Sequence, residues 1–140
     1  MLLATEGRAI PPAAVERAAE LAREQGGSVH VFSVARVWGT SFGFPNPGLL
    51  PTREEWKDQH AVVGDAVKAL EKRGVDATGR VLATRKATKR IVGEAERLGC
   101  NAIVMAADPP RGRLVADLMW SQEPYRVRRR AKVPVHLVTA

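Results

Sequence analysis

An α/β domain built on a single doubly wound sheet, five parallel strands with helices on both faces, is what this sequence predicts, and three observations predict it. Short apolar runs alternate with helix-period stretches along the whole chain, in the order β-α-β-α-β-α-β-α-β. Right-handed crossovers turn that order into a parallel sheet. The run AIVMA at 102–106 is apolar at every position, as a strand covered on both faces must be. The 140 residues hold no internal repeat, low-complexity tract or linker, so they make one domain, 1–140. A chain of that length buries about 68–70% of its unfolded surface and needs no disulfide or metal to stay folded.

The elements follow in order. Leu2–Ala4 opens as an apolar strand and stops at Thr5–Glu6–Gly7. Pro11 and Pro12 stand where helix-starting prolines are tolerated. Ala14, Ala18, Leu21 and Ala22 then mark one face of a helix that Gly26–Gly27 ends. Residues 28–37, SVHVFSVARV, are rich in β-branched side chains and predict a strand. The next thirteen residues, 39–51, contain three glycines and three prolines and predict a loop. Trp56, His60, Val63, Val67 and Leu70 give the inward stripe of a long helix stopped by Gly74. Residues 75–84 alternate in part, as an edge strand does. Thr84 or Thr88 is placed to cap a helix with Ile91, Ala95 and Leu98 facing inward, ended by Gly99. The 102–106 strand and VPVHLV at 133–138 complete the sheet, with Pro134 near a strand start, where a missing donor is tolerated.

Composition narrows the function classes. Twenty-two basic residues against fifteen acidic give a net charge of +7. Such a balance reports on solubility and anion affinity rather than on a particular partner. Few, scattered aromatics offer no stacking platform for single strands, so nucleic acid is not the expected partner. The single cysteine, Cys100, cannot form an internal bridge, which fits a reducing compartment. MLLATEG lacks a secretory pattern and no apolar stretch reaches the length of a membrane span, so a soluble cytoplasmic protein is expected. His30, His60 and His136 lack metal-ligand spacing, and no Ser-His-Asp order or carboxylate pair supports an enzyme.

Ligands of open parallel sheets sit beyond the carboxyl ends of the strands, where the strand order reverses. Here those ends are Thr5–Gly7 and Ala107–Asp108. The segments LLATEGR, LGCNAIVMA and WSQEPYRVRRRAKVPVHLV resemble those of the universal stress protein (UspA-like) family over almost the whole length. The resemblance implies strand order 3-2-1-4-5, a homodimer formed through the last strand, stress-response or regulatory work and, in many members, bound ATP. ATP-binding members carry Gly-x2-Gly-x9-Gly-[Ser/Thr] after the fourth strand. Counted back from Ser121, this chain has Ala107, Pro110 and Trp120 at the glycine positions. Counted forward from the strand, it has Ala106 and Pro109, with a one-residue insertion before Trp120. A phosphate loop needs inward backbone N–H groups and no Cβ in the way. Proline offers no N–H, and Trp120 replaces the smallest residue with the largest.

The expectation is therefore an altered nucleotide crevice without a tightly bound cofactor, its expected contacts Glu6, Ala107, Arg111, Arg113 and Ser121. Glu6 stands where the family has an Asp, and Arg111 and Arg113 are candidate anion clamps. Ser121 reads as an N-cap or as a phosphate ligand, and Glu123 as a carboxylate that stabilises its helix start and repels phosphate. The arginines of the last helix suit its negative end. Val133, Val135, His136, Leu137 and Val138 are the expected dimer interface, because a last strand at a sheet edge invites a second copy. Two alternatives stay open: a protein that binds ATP or AMP through an altered phosphate loop, and an adenine-nucleotide hydrolase or basic nucleic-acid-docking protein.

Overall fold

A computed structural model describes residues 1–36, 40–41, 44–45, 53–107 and 122–139. Strand β1 (Leu2–Thr5), helix α1 (Pro12–Gln25) and strand β2 (Val29–Arg36) come first. The two-residue strands β3 (Thr40–Ser41) and β4 (Phe44–Pro45) precede helix α2 (Arg53–Lys72) and strand β5 (Ala77–Thr84). Helix α3 (Ala87–Arg97), strand β6 (Ile103–Ala107), helix α4 (Glu123–Arg130) and strand β7 (Val135–Thr139) complete the order.

Five strands form one sheet in the order β5-β2-β1-β6-β7, every neighbouring pair parallel. Counted along the sheet strands alone, this is 3-2-1-4-5, with β5 at an edge as its partial alternation predicts. The segment 39–51, expected to be loop, contains a small antiparallel pair instead, Thr40 opposite Pro45 and Ser41 opposite Phe44. Pro45 sits in a two-stranded ribbon, where a missing N–H is tolerated.

Strand alternation sorts the core into two layers. Leu3, Val31 and Val104 face one way and pack with Ala14, Ala18 and Leu21 of α1 and with Val63, Ala66 and Leu70 of α2. Leu2, Ala4, Phe32, Ile103 and Met105 face the other way and pack with Ala87, Ile91 and Ala95 of α3 and Val127 of α4. Leu2, Leu3, Ile103, Val104 and Met105 are completely buried, which explains why β1 and β6 are written as unbroken apolar runs. Each such side chain contributes about 1.5–3 kcal/mol.

Several expectations shift by a residue or a face. Along α2, Val63, Ala66 and Leu70 are buried and Val67 packs against them as expected, while Trp56 and His60 stand outside the core and stack on each other at 5.9 Å. Leu98, read as an inward residue of α3, is the helix C-cap and 41% exposed. Its place is taken by Glu94, whose carboxylate is buried. Neither threonine caps α3: Lys86 holds the N-cap position, Thr84 accepts the Lys86 N–H at 3.0 Å, and Thr88 turns its hydroxyl to Glu123.

Glu94 is held by two guanidinium groups and an imidazole. Arg97 Nε donates to Oε1 at 3.0 Å and Arg80 Nη1 to the same oxygen at 3.3 Å, while His30 Nε2 meets Oε2 at 3.0 Å. His30 also reaches Thr78 through Nδ1 at 2.8 Å, tying β2, β5 and α3 together. Burial pushes the Glu94 pKa up, but the hydrogen bonds from Arg97 and His30 and the charges of Arg80 and Arg97 outweigh it and hold the carboxyl below its ordinary 4.5.

Gly79 marks a close approach of helix and sheet. A Cβ there would lie 2.3 Å from Val63 Cγ1 and 3.3 Å from Val67 Cγ2. We predict that Gly79→Ala destabilises the fold by about 1–3 kcal/mol through overpacking. Urea unfolding checks this, and adding Val63→Ala should recover part of the loss. A second prediction concerns acid. A carboxyl with a depressed folded-state pKa stabilises above its unfolded value, and that contribution is lost as pH falls through the folded value. Glu94→Gln should therefore cost about 1–2 kcal/mol at pH 7, and its deficit against the wild type should shrink as pH drops below about 4.5. Urea midpoints at pH 7 and pH 3.5 read both effects; a deficit independent of pH would contradict the assignment.

Candidate functional site

The chain leaves β1 toward β2 and β5, then returns on the other side of β1 as β6, so the strand order reverses between β1 and β6. Their register, Leu2 beside Ile103 through Ala4 beside Met105, brings the carboxyl ends of the two strands together. That is the crevice where a sheet of this winding receives ligands. Glu6 and Ala107, at the two strand ends, are both buried, at 5% and 4% exposure. Among the expected site residues, Arg111, Arg113 and Ser121 lie outside the described residues, as do Pro109, Pro110 and Trp120.

The turn after β1 is shaped by its own side chains. The Thr5 hydroxyl donates to the Arg8 carbonyl at 2.7 Å and accepts the Gly7 N–H at 3.3 Å. Gly7 has φ +119°, and a Cβ there would come within 3.2 Å of the Val34 carbonyl oxygen, so the position calls for glycine twice over. The Glu6 carboxylate forms an ion pair with the Arg8 guanidinium. The family-like acid at this place is therefore buried beside a cation contributed two residues later.

Gln59, on α2, was not legible as a site residue. Its Nε2 donates to the Gly7 carbonyl at 2.9 Å and its Oε1 accepts from the hydroxyl of Ser33 on β2. One amide therefore joins the turn after β1, the buried Ser33 and the second helix. The signal was present in the spacing, since Gln59 lies four, seven and eleven residues before Val63, Ala66 and Leu70. A polar residue on an apolar stripe needs buried polar partners.

Beyond the crevice, α4 starts at Glu123 with Gln122 in the N-cap position and no side-chain cap. This moves the helix start one residue past the expected cap at Ser121. Glu123 lies in the first turn as expected, and its carboxylate accepts from the Thr88 hydroxyl and from Arg126 Nη1 at 3.3 Å. Tyr125 has the Arg128 guanidinium 5.4 Å from its ring centre. Among the described residues no three His, Cys, Asp or Glu side chains converge as metal ligands. Cys100 is a free, half-buried thiol packed against the α3 side of the core.

The expected interface residues lie along β7 and just before it. Val133, Val135 and Leu137 pack toward α3 and α4, and Val138 toward the other layer. His136 pairs in register with Val104 and is half-buried. The Ile103 N–H donates to the Pro134 carbonyl at 2.9 Å. Alternation from that bond turns the backbone groups of His136 and Val138 toward β6 and those of Val135, Leu137 and Thr139 away from it. No described helix is long and apolar enough to cross a membrane.

The model of the universal stress protein family matches residues 1–139. Among solved structures, the universal stress protein from Archaeoglobus fulgidus superimposes with a TM-score of 0.74 at 20% identity, covering 97% of this chain and 90% of that one. A structure of the Archaeoglobus fulgidus universal stress protein in complex with dAMP gives 0.69 at 19% identity, covering 97% and 94%. A universal stress protein in complex with cAMP gives 0.67 at 17%, covering 99% and 94%. These likenesses establish the fold. The sequence has no match among curated proteins.

Proposed function

Because the chain belongs to the universal stress protein family, we propose that it is a cytoplasmic, non-catalytic regulator of the stress response. It works as a homodimer and has a strand-end crevice that holds no ATP tightly. One observation carries the reading of the crevice: the family's three phosphate-loop glycines are replaced here by alanine, proline and tryptophan, however the loop is aligned. Proline withdraws amide donors, and tryptophan is the bulkiest replacement for a glycine that must leave a phosphate room. The turn after β1 supports the same reading, because the Glu6 carboxylate is buried and paired with Arg8.

A second reading is favoured by the two similar structures solved with dAMP and cAMP. In it, an adenine mononucleotide binds through Glu6, Arg111, Arg113 and Ser121. The dimer rests on β7: it ends the sheet, and the backbone groups of Val135, Leu137 and Thr139 face outward. An antiparallel copy of the same strand satisfies them and removes the exposed edge.

Titration with ATP·Mg, followed through tryptophan fluorescence, tests the crevice. We expect no saturation below about 100 μM, a free energy weaker than about −5.5 kcal/mol. Sub-micromolar saturation would overturn the reading, and saturation with AMP in that range would establish the second one. For the dimer, hydrogen exchange is the direct probe. The amides of Val135, Leu137 and Thr139 should be protected in concentrated protein and become exchangeable on dilution to monomer; rapid exchange at all three throughout places the interface elsewhere.

A further inference from the structure

Away from the strand-end crevice, a cleft of about 720 Å³ opens between α3 and α4. Arg85, Lys86 and Lys89 form one wall, at the start of α3. Arg126, Arg129 and Arg130 form the other, along α4. All six side chains are exposed. The one acid of the cleft among the described residues is Glu123, which accepts from Thr88 and Arg126. Among the described residues, no carboxylate pairs with Arg85, Lys86, Lys89, Arg129 or Arg130.

We propose that this cleft binds a small anion carrying two or more phosphoryl groups, gripped between Arg85, Lys86 and Lys89 on one side and Arg126, Arg129 and Arg130 on the other. Solvated surface charge explains the facing cations less well. Like charges brought together across a concavity repel, and the low-dielectric walls strengthen that repulsion. The wall at α3 is costly in a second way. Its three cations stand at the positive end of the helix, whose first turn contains no acid. The arginines of α4, by contrast, suit the end of the helix they occupy.

The shape and chemistry of the cleft select the occupant. Its volume is that of a small-ligand site. Planar guanidinium groups match phosphate oxygens two at a time, and lysines add mobile point charges. A chain of phosphates presents more oxygens to the two walls than a single phosphate does. Among the described residues, cations line the cleft together with Ala87, Thr88 and Glu123, and no aromatic ring is among them. Recognition rests on the facing cations, and so on the phosphoryl groups of the ligand. This goes beyond the crevice reading, and none of the described residues lining the cleft is among that reading's contacts.

The test is calorimetric titration of the full-length chain with orthophosphate, pyrophosphate, tripolyphosphate and ATP at low salt. Affinity should rise with the number of phosphoryl groups, and tripolyphosphate and ATP should bind within about threefold of each other. Binding should weaken steeply with added salt. Lys89→Gln/Arg129→Gln should lose about tenfold or more in tripolyphosphate affinity. Arg85→Gln/Arg130→Gln should do the same, whereas Lys57→Gln/Lys68→Gln on α2 removes equal charge and should change little. Equal losses in all three double variants would reduce the effect to net charge and overturn the site. ATP binding that survives loss of the cleft cations would place that ligand elsewhere. An oligonucleotide that binds more tightly than tripolyphosphate, and is lost in the same variants, would replace the small anion with a nucleic-acid backbone.

Discussion

The requirement that β1 be buried on both faces governs this molecule. Four residues, Leu2–Thr5, sit at the centre of the sheet with 3% exposure or less, and they are flanked by β2 and β6 in parallel. Leu3 then needs a helical layer on one side, and Leu2 and Ala4 need one on the other. Parallel neighbours require crossovers, and each crossover is one of the covering helices. The helices consequently begin near the carboxyl ends of the strands. The crevice and the basic cleft are both built from segments that follow a strand at that end.

Polar groups are distributed unevenly between the two ends of the sheet. Near the amino ends of β2 and β5, His30, Thr78, Arg80 and Glu94 form a closed cluster in which positive and negative groups meet. Its role is to hold α3 against the sheet while burying a carboxylate. Between α3 and α4, positive groups dominate among the described residues. The ion pair of Glu6 and Arg8 is balanced, but the described walls of the α3–α4 cleft carry six cations and one acid, Glu123. The net charge of +7 is thus concentrated in part where two helices meet.

The sheet was legible because its strands are short apolar runs and its helices stop at glycine. Gly26, Gly74 and Gly99 all adopt positive φ at the predicted ends. The strand order came from resemblance to a family, since periodicity alone does not rank neighbours. Legibility failed where a polar residue points inward. Gln59 and Glu94 belong to the buried faces of α2 and α3, and hydropathy patterning instead chose Trp56, His60 and Leu98. Their partners, Gly7, Ser33, His30 and Arg80, are distant in sequence and become neighbours only in the folded sheet. The cleft was hidden for the same reason, because its walls are separated by β6 and the segment that follows it. The arginines of α4 read correctly as suited to their helix end, and only the lysines and arginine facing them change their meaning.

Gly79 has a wider effect than the space it leaves. On the same face of β5, its neighbours two residues away are Ala77 and Val81, both packed against the α1–α2 layer. The methyl groups of Val63 and Val67 drop into the notch between them. Sliding α2 along β5 by one step would push those methyls onto a Cβ, so the glycine works as a detent that indexes the helix to a single stop. Gln59 rides on the same rigid rod, one turn ahead of Val63. A missing side chain on an edge strand thereby sets where an amide arrives two strands away, at the tip of β1.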